Sequence, residues 1–319
     1  MLRFLVRRIL LGAVVMWVVA TAVFILYFVA PHNVALLLAG RGATEQRIQE
    51  VAERLGLNQP ILTQYGHYLS RLLHGNLGFS YVNNESVLTI IKQDIPITFS
   101  VAIGGVIFWL LIGVGAGILA ATRPRSIADR LVTFFALVFY SAPTFVIGEM
   151  LLLLFFYRLH LLGFNFFPGG GYEPFTHSVG GWAQHLILPW LTLALIEAAT
   201  YARLTRASML DVLGDDYIRT ARSKGLSERR VIFRHALRSA ATPIVTQTGV
   251  DFGALLGGVV VTETIFGLPG LGQQIVQSIT RQDLPVIIGI VLLASAFIVA
   301  ANIIVDALYA VLDPRVRLS

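Results

Sequence analysis

Long apolar runs are the feature that most constrains what this chain can fold into. Each of six runs has about the 20 consecutive, mostly apolar residues that a membrane-spanning helix needs. They lie at roughly 9–30, 97–122, 131–157, 184–203, 241–261 and 285–311. Only 13% of the 319 residues are charged, about half the share that a soluble domain carries. We therefore predict an all-α membrane protein with six transmembrane helices, since a helix satisfies its own backbone hydrogen bonds in lipid.

The placement of the basic residues predicts the orientation of these spans. Arginines precede the first span, fill the short loop between the second and third, and follow the sixth. Nine of the 24 basic residues lie between positions 203 and 238, in the loop between the fourth and fifth spans. Because short loops rich in Lys and Arg stay in the cytoplasm, both termini and this loop are predicted to be cytoplasmic.

The stretch between the first two spans is too long for a plain connector. Helix signals bound two segments in it: a Thr44 cap and Gly56 for the first, then Pro60 and Gly75 for the second. A small outer helical subdomain is therefore expected. The predicted domains are 1–30 (N-terminal segment and first span), 31–96 (extracytoplasmic helical subdomain) and 97–319 (core membrane domain with the cytoplasmic loop 204–240).

The loop between the fourth and fifth spans combines charge with helix signals. Asp215 or Asp216 can cap a helix start, and Gly225 suits the left-handed residue that ends a helix. Ser227 can then begin a second short helix that leads to Pro243. Attraction to anionic lipid would need only a disordered basic segment. The helix signals therefore favour a docking surface for a cytoplasmic protein, with lipid attraction as the alternative.

The same loop carries a family resemblance. The stretch YIRTARSKGLSERRVIFRHALRSAATP resembles the cytoplasmic coupling loop of bacterial ABC-importer permeases in the dipeptide/oligopeptide/nickel branch. The general pattern of that loop is Glu-Ala-Ala, three residues, then Gly. Ala221 and Gly225 match it, while Arg219 and Thr220 stand at its first two positions. The segments MLRFLVRRIL, LGLNQPILTQYGHYLSRLLHGNLGFS, TETIFGLPGLGQQIVQSITRQDLPVI and VDALYAVLDPRVRL also resemble this branch, so the likeness covers the whole chain.

This resemblance implies a type I ABC-importer permease architecture in the bacterial inner membrane and a role for short peptides. A helix of the loop would sit in a groove of an ATPase subunit. Its coupling residues would be Tyr217, Arg219, Thr220, Ala221, Arg222, Ser223, Lys224 and Gly225. The implied partners are a second homologous permease in a heterodimer, two ABC ATPases and an extracytoplasmic substrate-binding protein.

Nucleotide chemistry is expected in the partner subunits and not in this chain. No stretch of the sequence fits the phosphate-binding pattern G-x-x-x-x-G-K-[ST]. ATP and Mg²⁺ would therefore bind to the ATPases, and this chain is predicted to be a non-catalytic subunit without cofactors. Its histidines are scattered and it has no cysteine, so neither a metal site nor a disulfide is expected, and no nucleic-acid partner is predicted.

Carboxylates inside the spans are candidates for the translocation route, because such groups are costly in lipid and usually face a bundle interior or a watery cavity. Glu149, Glu197, Asp251 and Asp306 qualify. Our hypothesis is that Asp251 and Glu149 border the route and favour a substrate amino group; the alternative is that they only fix helix packing. Asp306 is expected to be structural. Glu263, near the outer mouth, is the candidate for an outer gate.

Small residues and a proline predict helix packing. Gly113 and Gly117, and likewise Gly253 and Gly257, have the spacing that lets two helices approach closely; hinging is the alternative. Pro143 is expected to kink the third span.

Two other functions remain open from the sequence. A gradient-driven secondary transporter would show an internal repeat with matching broken helices, which we do not find. An ABC importer of a non-peptide substrate, such as a nickel chelate, would share the motifs quoted above.

Overall fold

The chain folds almost entirely into helices. The computed structural model describes residues 2–29, 34–40, 42–80 and 82–312. The helices in these ranges are α1 (Leu2–Phe24), α2 (Val34–Ala39), α3 (Glu45–Leu55), α4 (Ile61–Leu73), α5 (Val87–Thr122), α6 (Ile127–Ser141), α7 (Thr144–Leu151), α8 (Leu159–Leu161), α9 (Val179–Leu213), α10 (Asp216–Ser223), α11 (Glu228–Arg230), α12 (Leu237–Phe266), α13 (Leu271–Arg281) and α14 (Leu284–Leu312). Wider π-helical turns occupy Ile25–Val29, Leu152–Arg158 and Val231–Ala236. Two short antiparallel strands, β1 (Phe79–Ser80) and β2 (Glu85–Ser86), form a hairpin.

Five helical stretches in the described ranges are long and apolar enough to cross a membrane. They are Val6–Val29, Val87–Thr122, Thr144–Leu161, Val179–Leu213 and Leu284–Val305. Each overlaps one of the apolar runs found in the sequence, so a multi-span helical membrane protein is confirmed. The remaining run, 241–261, falls within α12, a continuous helix of 30 residues.

The third predicted span is not one helix. The helix α6 ends at Ser141, and Ala142 has extended backbone angles (φ −85°, ψ 132°) before α7 begins after Pro143. The residue before a proline is sterically pushed out of the helical region. Pro143 therefore interrupts the helix completely, where the sequence predicted only a kink.

The chain divides into two compact units. One contains Met1–Thr98 with Pro269–Ser319, and the other contains Phe99–Leu268. The predicted outer subdomain 31–96 lies within the first unit, and its status as a separate domain stays a prediction.

The first unit contains both helices predicted between the first two spans. Thr44 caps α3 by accepting a hydrogen bond from the Arg47 N–H (3.4 Å), and Gly56 ends it in the left-handed conformation. The helix α4 begins directly after Pro60 and ends before a left-handed Gly75. These boundaries confirm the two predicted helices, because the capping residues decide where a helix starts and stops.

In the second unit, glycines bring α5 and α9 close together. A Cβ placed on Gly113 would lie 2.9 Å from the Ala198 carbonyl oxygen, and one on Gly117 would lie 2.7 Å from the Ala202 carbonyl oxygen. Real side chains do not fit at such distances, so only glycine permits this approach. The packing role predicted for Gly113 and Gly117 is confirmed. The surroundings of Gly253 and Gly257 lie outside the described part of the structure.

We predict that Gly113→Ala destabilises the protein. The added methyl group collides with the α9 backbone, which cannot move aside as a flexible side chain would, and overpacking of this kind costs about 1–3 kcal/mol. The midpoint of thermal unfolding in detergent should fall. Gly115→Ala is the matched control, because Gly115 is exposed on the same helix and nothing lies within 4 Å of its added Cβ. Equal midpoints for both variants would contradict the packing role.

Candidate functional site: a short basic helix and a cavity lined by carboxylates

The basic loop contains the predicted short helix. Asp215 occupies the N-cap position of α10 with extended backbone angles. At the other end Gly225 adopts a left-handed φ of +75°. The Leu226 N–H donates to the Ala221 carbonyl (3.3 Å), and the Gly225 N–H donates to the Arg222 carbonyl (2.9 Å). These bonds satisfy carbonyls that a helix end otherwise leaves free, so the glycine stop predicted at Gly225 is confirmed.

One side of α10 is buried in a small apolar cluster of the second unit, which we call the loop cluster. Its members are Ala121, Met209, Ile218, Ala221, Val231, Ala236 and Ala240. They come from α5, α9, α10, the π-helical turn and α12. Most are alanines, which let the backbones approach closely. The short helix is therefore fixed against the ends of three long helices.

The second short helix expected in this loop is instead the beginning of a long one. The helical conformation starts at Glu228, passes through the π-helical turn Val231–Ala236 and continues into α12. Val231 and Leu237 both have right-handed helical angles, so the helix has no stop between them. Pro243 lies inside α12 and does not end it. Prolines are tolerated in membrane helices where local π-helical adjustment and neighbouring groups satisfy the freed backbone.

An ion pair bridges the turn between α10 and this long helix. Arg222 donates to Glu228 through Nη2 (2.6 Å) and Nε (3.1 Å). These hydrogen bonds hold the pKa of Glu228 below its ordinary value and raise the pKa of Arg222. The pair is therefore charged at neutral pH and is lost only as the pH falls below the ordinary range of a glutamate. Both side chains are partly exposed, so the pair adds little stability and serves mainly to fix the turn.

The predicted coupling residues separate into two groups. Ala221 is buried in the loop cluster, so its side chain cannot reach another protein. The exposed residues are Tyr217, Arg219, Thr220, Arg222, Ser223, Lys224 and Gly225. The Tyr217 hydroxyl pairs with the Ser239 hydroxyl (2.9 Å), and Arg219 contacts Asp216 (3.4 Å). The exposed side of α10 is thus polar and basic, while its other side is packed.

A second ion pair ties α6 to the same end of α9. Arg206 donates to both carboxylate oxygens of Asp129 (2.6 and 2.9 Å), and the Arg125 N–H donates to the same group (2.9 Å). These hydrogen bonds, led by those from Arg206, lower the pKa of Asp129 to about 2. The carboxylate is buried and charged, which is consistent with its three donors.

A cavity of about 80 Å³ lies among the membrane helices of the second unit. Its lining residues are Trp109, Thr144, Leu193, Ile196, Glu197, Asp251 and Leu255. Asp251 lies 14 residues after the start of α12 and 15 before its end, so the cavity is near the middle of this helix.

The structure brings only one of the two predicted route carboxylates to this cavity. Asp251 lines it and accepts hydrogen bonds from the Tyr201 hydroxyl (2.9 Å) and from Gln247 Nε2 (2.8 Å). Glu149 lies on an exposed side of α7 and does not line the cavity. Glu197 lines it instead. The sequence identified Glu197 as a carboxylate inside a span, but only Asp251 and Glu149 were predicted to border the route. The position of Glu197 one helical turn before Tyr201 on α9 could have indicated its place in the cavity.

The other predicted sites have different surroundings. Glu263 is fully buried near the end of α12, and its carbonyl oxygen accepts from the Leu268 N–H (2.9 Å) at the left-handed Gly267. Asp306 is in α14, but its side chain lies outside the described residues. Within the described ranges, no three histidine or acidic side chains come close enough to hold a metal ion.

Comparison with known proteins identifies the family. Residues 113–318, more than half of the chain, match the family described as binding-protein-dependent transport system inner membrane component. Residues 1–102 match the corresponding N-terminal family. The chain therefore belongs to this family: it is an inner-membrane permease component of an ABC transporter and not a catalytic subunit.

Several relatives share nearly the full length. A protein of Sinorhizobium fredii named as a probable peptide ABC transporter permease is 39% identical over 98% of this chain and 99% of its own length. The glutathione transport system permease protein of Escherichia coli strain K12 is 38% identical over 99% of both chains. A solved amino acid ABC transporter chain overlaps 77% of this chain and 97% of its own, at 19% identity and a TM-score of 0.45.

We predict that Ile218→Ala loosens α10. Ile218 is fully buried in the loop cluster, and removing such a side chain costs about 2–5 kcal/mol. Amide hydrogen exchange over α10 should become faster by about two orders of magnitude. Thr220→Ala is the control, because Thr220 is an exposed neighbour on the same helix. Unchanged exchange in Ile218→Ala would mean that the loop cluster does not hold α10.

Proposed function

We propose that this chain is one of two permease subunits of an ATP-driven importer of short peptides. The observation that carries the proposal is the nearly full-length similarity, at 38–40% identity, to permeases named for peptide and glutathione transport. The complete importer would contain a second homologous permease, two ABC ATPases and an extracytoplasmic substrate-binding protein. Nucleotide and Mg²⁺ would bind to the ATPases.

The proposed topology has six spans, in the type I importer arrangement, with both termini in the cytoplasm. The span added to the five apolar helical stretches would be α12, which is the fifth span in chain order. Its 30 residues correspond to about 45 Å of helix, longer than the roughly 30 Å of a bilayer core. The basic residues of the loop between α9 and α12 support its cytoplasmic location. The three sequence-defined domains, with boundaries near residues 30 and 96, fit this topology.

The exposed side of α10 is proposed to sit in a groove of an ATPase subunit. Two features support this role. The exposed side chains are polar and basic, and the buried side is fixed by the loop cluster to α5, α9 and α12. A displacement of α10 would therefore be transmitted to three long helices instead of being absorbed by a flexible loop. ATP would act by binding more tightly to one of two states of the assembly.

The route and the outer gate complete the proposal. Asp251 would border the route, which is supported by its place in a cavity near the middle of α12. Glu149, on an exposed side of α7, would border the route where the second permease faces it. Glu263 would act at the outer mouth. It is buried beside the Gly267 turn, so a change in its packing would move the end of α12.

We predict that Lys224→Glu separates the permease from its ATPases. Reversing the charge at Lys224, the exposed C-cap residue of α10, should lower recovery of ATPase subunits with the tagged chain about tenfold, which corresponds to about 1.4 kcal/mol. The measurement is co-purification in mild detergent together with peptide uptake in liposomes. Arg229→Glu is the control, since Arg229 is also exposed but lies beyond Gly225.

Two results would contradict the proposed function. One is a wild-type chain that purifies without any ATPase. The other is peptide uptake that proceeds on an ion gradient without ATP hydrolysis, which would favour a secondary transporter.

A further inference from the structure

The cavity contains two carboxylates without a cationic partner. Asp251 accepts hydrogen bonds only from neutral groups, the Tyr201 hydroxyl and the Gln247 amide. Among the residues that the structure describes, no Lys or Arg forms an ion pair with Asp251 or Glu197. Ionisable groups inside a membrane usually pair with one another or with backbone groups. Among the described residues the cavity therefore has no cation of its own, and an incoming cation can supply one.

A third side chain in the cavity has a hydrogen-bond donor without an acceptor. Trp109 lines the cavity and is fully buried, and its indole N–H has no acceptor. The ring is held in place by stacking on Tyr201, with 5.9 Å between ring centroids. Buried donors without a partner are rare in native proteins. An N–H without an acceptor, in a cavity whose two carboxylates have no cationic partner among the described residues, points to a ligand with both a cationic donor and a neutral acceptor.

The size of the cavity limits what it can hold. Its volume of about 80 Å³ is several times the roughly 10–15 Å³ that a cavity needs to hold one water molecule. It can therefore hold a small charged group with its neighbouring atoms. A metal ion is less suitable, because only two carboxylates of the described residues line the cavity and no three-residue metal group is found there.

We propose that this cavity recognises the terminal ammonium group of a peptide during transport; the inference rests on the proposed peptide substrate. The carboxylates of Glu197 and Asp251 accept hydrogen bonds from the ammonium, and the Trp109 N–H donates to the adjacent carbonyl oxygen. These two substrate groups are present in every peptide with a free amino terminus. The site would thus select for the terminus and tolerate different side chains. Binding is non-covalent, and no proton transfer is required.

The test is equilibrium binding of radiolabelled trialanine to the purified complex of permeases and ATPases, without ATP and without the binding protein. Wild type should bind trialanine but not N-acetyl-trialanine, which lacks the ammonium. Glu197→Gln should weaken trialanine binding about tenfold, the usual size of a lost hydrogen bond to a charged group. This variant is suited to the test because the Glu197 carboxylate makes no hydrogen bond that the substitution would break within the described chain.

Further variants separate recognition from folding. Trp109→Phe should weaken trialanine binding but leave competition by propylamine unchanged, since propylamine has no carbonyl group. Glu197→Gln should weaken both. Glu173→Gln, an isosteric change at a carboxylate that does not line the cavity, should bind like wild type. Recovery of all subunits should match wild type in each variant.

Three outcomes would overturn the inference: equal binding of the free and acetylated peptides, no binding of either, or unchanged trialanine binding in Glu197→Gln. Uptake of trialanine by the wild-type transporter, measured with the binding protein and ATP, separates this failure from that of the proposed function. Uptake without ammonium recognition rejects only the cavity site. The absence of ATP-driven uptake of any peptide rejects the peptide importer itself.

Discussion

The close packing of α9 against α5 is the constraint on which the functional parts of the second unit depend. Gly113 and Gly117 allow the α9 backbone to approach so closely that a methyl group at either position would collide with it. The same α9 carries Glu197 in the cavity and Met209 in the loop cluster. These residues are 12 positions apart on one continuous helix, about 18 Å along its axis. The loop cluster and the cavity are therefore joined by a single stiff element.

This arrangement gives a physical basis for coupling between ATPase and substrate. A force on α10 would reach α9 through the loop cluster, because Ile218 and Ala221 of α10 and Met209 of α9 all belong to it. Movement of α9 relative to α12 would change how Glu197 is placed against Asp251, since each helix carries one of the two carboxylates. ATP binding by partner subunits could then alter the affinity of the cavity for a cationic group without touching it.

Local rules predicted the parts of the structure that depend on single residues. Gly225 and Thr44 mark helix ends, and Gly113 with Gly117 marks a close helix contact, because backbone sterics and capping act over a few positions. The sequence failed where tertiary packing decides. Pro143 separates two helices whereas Pro243 lies inside one, and the local sequence does not distinguish the two cases. Glu149 and Glu197 are both carboxylates inside predicted spans, and the sequence does not distinguish them. Only the packing of α9 against α12 places Glu197 in the cavity.

We propose that α10 is the part of this chain that binds an ATPase subunit. Because the chain contains no cysteine, single cysteines can be introduced to test this contact directly. Single cysteines at Lys224, directly after α10, and at Leu162, which is 72% exposed after α8, would each be labelled with a photoreactive maleimide in the assembled transporter. The account predicts that illumination links the Lys224→Cys chain to an ATPase subunit and that Leu162→Cys, on the proposed outer side, captures none. Capture of the ATPase from Leu162→Cys, or none from Lys224→Cys, would contradict it.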